Sequence, residues 1–435
     1  MKMATAPGRA AFAVLLLVAV PVTAQQEPEM KLTLEQAIER AMRVSPTMVQ
    51  ADGAVRTARS GERTAWGAFL PNLSLGSGAS LASAERWNQE TGTWVNAGSN
   101  DSYSANFNVS YDVFTGFRRG AELNRTRAQT TLAEAGYLEN EYAVALQVKT
   151  AFFAVLRADE QVRVAQASVT RAEEGLAAAQ RRTQVGTATR SDELRANLEL
   201  TQAQQVLLQA QNARRTAAYE LGRLVGESRP VGADDELPLT TEPLALSDDE
   251  LVALVLNNSP AVKTAEASLA SAEASLNSSK AQYLPTLRAS WGYNWANENP
   301  SLAGGRTSWS GRLSLSYPLF NNFSREDQVT RASVQAMTAK ATAEDARRTA
   351  RAQLERLLGA LRLAEAQIAL SRQAVAVAEE DLRVQEERYR LGVTTILDRI
   401  TSQQNLIQAE MDLVSARFDY QIARAELEAL VGREL

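Results

Sequence analysis

From Val148 to Ala179 every seventh residue is apolar and mostly β-branched: Val148, Val155, Val162, Val169 and Leu176. Three positions after each comes alanine, at Ala151, Ala158, Ala165, Ala172 and Ala179. An α-helix presents such a repeat as one unbroken seam, so this stretch is committed to coiled-coil packing, and the alanines let backbones approach closely. Adding 206 to each number recovers a looser copy: Leu354, Leu361, Ile368, Val375 and Leu382, followed by Tyr389. Its small partners are Leu357, Ala364, Ser371, Ala378 and Gln385. The chain is an internal duplication built on two long helices, with a period far longer than that of ordinary solenoids.

Two residue types are missing altogether. Without cysteine the chain has no disulfide, no thiolate metal site and no lipid-modified N-terminal cysteine. Without histidine it lacks the commonest general base and the commonest transition-metal ligand. No nucleophile motif stands in their place, so neither an enzyme nor a cofactor is expected. A net charge of -5 over 435 residues argues against nucleic acid as a partner.

Residues 1–24 read as a signal peptide. Lys2 and Arg9 supply the positive region, Ala10 to Val20 is an apolar run too short to span a bilayer, and Val22-Thr23-Ala24 is a small-residue cleavage site. The first repeat then occupies residues 25–226, a linker 227–246, and the second repeat 247–435. Thr33-Leu34-Glu35-Gln36 is a capping box opening a helix that stops at Ser45-Pro46, where a second helix begins and runs to about Phe69. After Leu70-Pro71 the period changes. Tyr103, Ala105, Phe107, Val109, Tyr111 and Val113 alternate with Ser102, Ser104, Asn106, Asn108, Ser110 and Asp112, the pattern of a strand with one apolar and one polar face. A weaker alternation over Leu73, Leu75, Ala79 and Leu81 precedes it, and the polar stretch Asn88 to Asp101 between them is expected as the loop of a hairpin near 71–116.

The long helix is expected from about Phe117 to Thr183, ending at a tip near 182–192 with Gly186 as a left-handed cap. Thr189 to Asp192 caps the return helix, which runs to about Val225. Ser247 to Glu250 is another capping box and opens the second repeat. Ser259-Pro260 and Leu284-Pro285 match Ser45-Pro46 and Leu70-Pro71 at an offset of 214, whereas Tyr317 to Phe320 matches Tyr111 to Phe114 at 206. The length difference therefore falls inside the hairpin, the second copy of which lies near 285–321 with its tip near 388–398.

Each strand has about ten residues, enough to cross a bilayer when tilted. Aromatics gather towards the ends, at Trp87, Tyr103, Tyr111, Trp295, Trp309 and Tyr317, as in an interfacial girdle. Four strands cannot close a barrel, and an open edge cannot face lipid. The barrel must therefore be shared between subunits, and two or three copies would both satisfy the strand count. A helix of about 65 residues extends roughly 100 Å, nearly the summed length of the helices Pro46 to Phe69 and Ser191 to Val225. Two short helices can thus stack end to end beside each long one. The expected fold is mainly α with a small β part: a long antiparallel coiled-coil tube continuing into a shared β-barrel.

With these landmarks in place, the sequence resembles the TolC-like outer-membrane efflux family over nearly the whole mature chain. The carriers are the paired Ser-Pro and Leu-Pro steps, the two hairpins, and two Arg-x-x-x-Gly tips each followed six residues later by Asp. The resemblance implies a homotrimer with a twelve-stranded barrel in outer-membrane lipid and a periplasmic tunnel. It implies passive export, served by a periplasmic adaptor and an inner-membrane pump of the RND or ABC type. It assigns adaptor docking to Arg182, Val185, Gly186, Thr187, Arg388, Leu391, Gly392 and Val393. It assigns the tunnel entrance to Asp398, Tyr389, Asp192, Thr401 and Thr394. From the residues alone, Gly186 and Gly392 are helix-hairpin caps, and Asp192 and Asp398 are N-terminal caps. Thr401 and Thr394 stand where the family often has a second acidic residue and a gate arginine. The alternative is a secreted coiled-coil scaffold or adhesin, which has no need of a strand face lined for lipid.

Overall fold

The computed structural model describes residues 30–99, 101–234, 246–301 and 303–435; the expected signal segment and most of the linker lie outside them. In chain order the elements are β1 (Met30–Leu32), α1 (Leu34–Val44), α2 (Pro46–Gly67), β2 (Asn72–Ser80), β3 (Ser83–Asn88), β4 (Thr93–Ser99), β5 (Ser102–Phe114), α3 (Arg118–Gln184) and α4 (Arg190–Leu224). There follow β6 (Val231–Ala233), α5 (Asp248–Asn258), α6 (Pro260–Lys280), β7 (Thr286–Asn297), β8 (Arg306–Ser316), α7 (Ser324–Arg390) and α8 (Ile396–Val431).

The two long helices, α3 and α7, have 67 residues each. No break interrupts them because neither contains proline and the seam offers a continuous packing surface. Near the strands the helices lie in the order α2, α3, α6, α7, and towards the tips in the order α4, α3, α8, α7. Short helices thus stack end to end beside each long one. Ser45-Pro46 and Ser259-Pro260 mark where the chain steps from one short helix to the next, with proline at the first helical position.

Two apolar cores sit side by side at the level of these steps. One gathers Ala37, Val148, Phe152, Val155, Leu221 and Phe418; the other gathers Leu251, Val255, Leu354, Leu361, Tyr420 and Leu427. A ladder of ion pairs joins the repeats along the α3–α8 contact: Lys149–Glu428 at 2.6 Å, Arg157–Asp419 at 2.5 Å and Arg171–Glu410 at 3.0 Å. A three-residue parallel pairing of β1 with β6 closes the first core and falls partly in the stretch expected as linker. Segments this short carry no readable alternation.

The main sheet has the order β2-β5-β7-β8, all antiparallel. Its apolar face is open to the outside, with Leu73, Leu75, Leu313 and Leu315 between 62 and 81% exposed. The polar stretch expected as a loop carries a second hairpin, β3–β4, in which Trp87 and Trp94 pack edge to face at 5.5 Å. This extra finger accounts for the changed offset between the repeats, since the second hairpin turns directly from β7 to β8.

Candidate functional site

The far end of the molecule is made by the α3–α4 and α7–α8 turns. Both close in the same way. The Thr187 amide donates to the Arg182 carbonyl at 2.8 Å and the Gly186 amide to Thr183 at 3.1 Å. In the second turn the Val393 amide donates to Arg388 at 3.0 Å and Gly392 to Tyr389 at 3.1 Å. This six-to-one and five-to-two pairing satisfies the last helical carbonyls and needs a left-handed residue; Gly186 and Gly392 have φ of 76° and 77°.

The return helices open on matched capping boxes. The Asp192 carboxylate accepts from the Thr189 amide at 3.0 Å and from the Thr189 hydroxyl at 2.8 Å. The Asp398 carboxylate accepts from the Thr395 amide at 3.1 Å, from the Thr395 hydroxyl at 2.7 Å and from the Thr394 hydroxyl at 2.9 Å. The bonds from Thr395, then Thr394, hold the Asp398 carboxyl below its ordinary value of 3.8. Thr394 is therefore a partner of Asp398. Thr401 lies one turn further on and donates its hydroxyl to the Leu397 carbonyl.

The two tip arginines, alike in sequence, are placed differently. The Arg182 guanidinium reaches across to α7, donates to the Tyr389 carbonyl and lies over the Tyr389 ring at 4.4 Å. It thereby caps the end of α7 with a cation, where the helix dipole favours one. Arg388 is exposed and makes no ion pair among the described residues. The Tyr389 hydroxyl is enclosed without a hydrogen-bond partner among the described residues, and burial pushes it above its ordinary value of 10.0. Around the turns Val185, Leu391 and Val393 are 63 to 72% exposed, so the tip presents apolar side chains to whatever meets it.

One feature of this end was not foreseen. Arg399 on α8 is buried and donates to Glu199 on α4 at 2.7 Å and to Gln403 at 3.0 Å. It passes over Gly175 of α3, where a Cβ would stand 2.7 Å from the guanidinium. Both members of the pair are more than nine-tenths buried, and burial outweighs Arg399 in pushing Glu199 above its ordinary 4.5. The glycine beside the α3 seam is the sequence signal, but spacing along one helix does not say which distant arginine will fill the gap. Alongside lies a cleft of about 830 Å³ between α3 and the α7–α8 turn.

A duplicated chain with a membrane-length sheet at one end and long paired helices reaching a capped tip at the other has the build of an outer-membrane duct component. The family model for outer membrane efflux proteins matches residues 37–227 and 251–433, and the chain belongs to that family. It is 28% identical over 348 residues to protein CyaE of Bordetella pertussis, covering 77% of this chain and 70% of that one. It is 30% identical over 209 residues to the cobalt-zinc-cadmium resistance protein CzcC of Cupriavidus metallidurans, covering 46% of this chain and 48% of that one. The fold matches the crystal structure of the outer membrane protein VceC of Vibrio cholerae with a TM-score of 0.78 at 20% identity, covering 92% of this chain and 96% of the other. The protein is thus an export channel component of the outer membrane, mainly helical, with its barrel shared between chains.

Proposed function

We propose that three copies close into a passive duct, with a twelve-stranded barrel in the outer membrane and a periplasmic tunnel that docks an adaptor and an inner-membrane pump. The observation that carries this is the state of the two lateral edges. On α7, Leu363, Leu370, Val377, Val384 and Leu391 recur every seventh residue and are 37 to 68% exposed, on the face opposite the buried seam of Leu354, Leu361, Ile368 and Leu382. On α4, at the other edge, Leu194, Leu198 and Leu208 are 56 to 67% exposed. The sheet ends in unpaired β2 and β8, which lipid does not tolerate. Two different edges that each lack a partner among the described residues suit a head-to-tail interface, which forms a ring where the rotation closes, as a sheet in lipid requires.

In this assembly the exposed Val185, Thr187, Leu391, Val393 and Arg388 are the adaptor contacts. Gly186 and Gly392 shape the turns, and Arg182 holds the two tips together. Asp398 and Asp192, with Tyr389, Thr394 and Thr401 near them, line the entrance, and charges there select ions by sign. The pump is of the RND or ABC type.

The test is the native mass of the protein extracted from outer membranes in mild detergent. A trimer is expected, and it should capture its adaptor through intact tips. A soluble monomer recovered from the periplasm sinks the proposal.

A further inference from the structure

The strand-to-helix crossings are built alike in both repeats, and both are strained. Gly116 and Phe117 have φ of 61° and 61°, and Asn322 and Phe323, their counterparts at the offset of 206, have 56° and 58°. A phenylalanine in the left-handed region is uncommon and costs free energy. Here the strain aims each ring outward: Phe117 is 74% and Phe323 68% exposed. Each packs edge to face on its neighbour three residues earlier, Phe117 on Phe114 at 5.5 Å and Phe323 on Phe320 at 5.4 Å. These rings continue the outward apolar face of the sheet, so acyl chains are the surroundings that would offset the strain.

Behind each pair, a first-turn arginine stacks on the aromatic that precedes the Leu-Pro step. Arg119 lies over Phe69 at 5.8 Å and over Tyr111 at 4.9 Å, and Arg325 lies over Tyr283 at 4.3 Å. The repeats then diverge. Arg325 is bonded to Glu326 at 3.2 Å and to the Pro318 carbonyl at 3.3 Å. Gly120 occupies the place of Glu326, and Arg119 makes no ion pair among the described residues, although the Asp112 carboxylate feels its charge. It borders a groove of about 820 Å³ between α3 and α6, whose far wall carries Glu273. Glu273 is exposed and likewise has no ion pair among the described residues. It lies seven residues before the end of α6, about 10 Å further from the membrane at 1.5 Å per residue.

We propose that this groove binds one amine-bearing, zwitterionic glycerophospholipid of the periplasmic leaflet. Its phosphate meets Arg119, its ammonium meets Glu273, and its acyl chains lie along Phe114 and Phe117. The order of charges decides the chemistry. In such a lipid the phosphate sits next to the glycerol and the ammonium outside it, and the protein sets its cation next to the apolar band and its anion beyond. A neighbouring subunit leaves the site open, because β5, β7, α3 and α6 are internal to the protomer and the edges are β2, α2, β8 and α7.

The experiment is native mass spectrometry of the detergent-extracted oligomer with added phosphatidylethanolamine or phosphatidylglycerol. One phosphatidylethanolamine per protomer is expected, bound about tenfold tighter than phosphatidylglycerol, the factor carried by one charge-assisted hydrogen bond. Glu273→Gln should equalise the two lipids. Arg119→Gln should weaken both by about tenfold. Ala274→Trp, which fills the groove between the charges, should remove binding while the oligomer persists. Equal binding of both lipids by the unaltered protein overturns the proposal, as does an unchanged preference in Glu273→Gln. Because Glu273 is exposed on a helix, Glu273→Gln decides the question even where Arg119→Gln fails to assemble.

Discussion

Arg182 and Arg388 hold matching positions, four residues before a tip glycine, and their carbonyls accept the same amide bond. Only Arg182 spends its side chain inside the protein, on the carbonyl and ring of Tyr389. Arg182→Ala should therefore loosen the tip by about 1.5–3 kcal/mol, as for a hydrogen bond to a charged group. Arg182→Lys should recover little of this, because an ammonium lacks the planar face that stacks on the ring. Arg388→Ala should leave thermal stability within about 0.5 kcal/mol and weaken adaptor capture instead. Thermal unfolding and adaptor pull-down separate the two, and equal loss of stability in both variants would show the arginines to be equivalent. The glycines, the aspartate caps and the matched arginines were all legible, because each is a local rule of turn chemistry. Which arginine turns inward was not, because that depends on how one hairpin leans on the other.

At the scale of elements, the Arg399–Glu199 pair fixes α8 to α4 across Gly175. Removing one partner of a buried pair leaves an uncompensated charge and costs about 3–5 kcal/mol. In Arg399→Met, Glu199 loses the group that lowers its pKa, while the burial that raises it remains. A carboxyl raised in the folded state gives stability that is present below its unfolded value of 4.5 and is lost as pH rises through the folded one. The variant should thus be most stable in acid and weaken towards neutral pH, and Arg399→Met with Glu199→Leu should abolish that slope. A variant whose melting temperature ignores pH would mean that water reaches Glu199.

The strands make an independent case. Phe107→Arg and Leu315→Arg, on the outward face, should impair assembly by about 2–4 kcal/mol, and Asn106→Arg, facing the lumen, should assemble. Strand alternation was readable because period two cannot be mistaken over eleven residues. The β3–β4 finger was not, since β3 begins before that stretch and Asn88 to Asp101 is mostly polar, with Trp94 and Val95 too few to show a period.

The whole molecule is one row of helices continued by one sheet, with two unfinished edges, and the proposed function rests on closing that row. The duplication and its offsets were legible because two copies of one pattern in one chain calibrate each other. The subunit number was not, since two or three copies both close the strand count, and three came from the family resemblance. Asp398 now offers a measure of the closed ring. In a single chain the Thr395 and Thr394 bonds hold its carboxyl below 3.8. Three such carboxylates brought together around an axis repel one another, and like charge raises a carboxyl pKa. Cation selectivity of the reconstituted channel, followed as pH falls, should therefore be lost with a midpoint above 3.8. Asp398→Asn should remove most of that pH dependence with the trimer intact. A midpoint below 3.8 would mean that the capping bonds outweigh any repulsion around the axis, and selectivity unchanged in Asp398→Asn would reduce this residue to a helix cap.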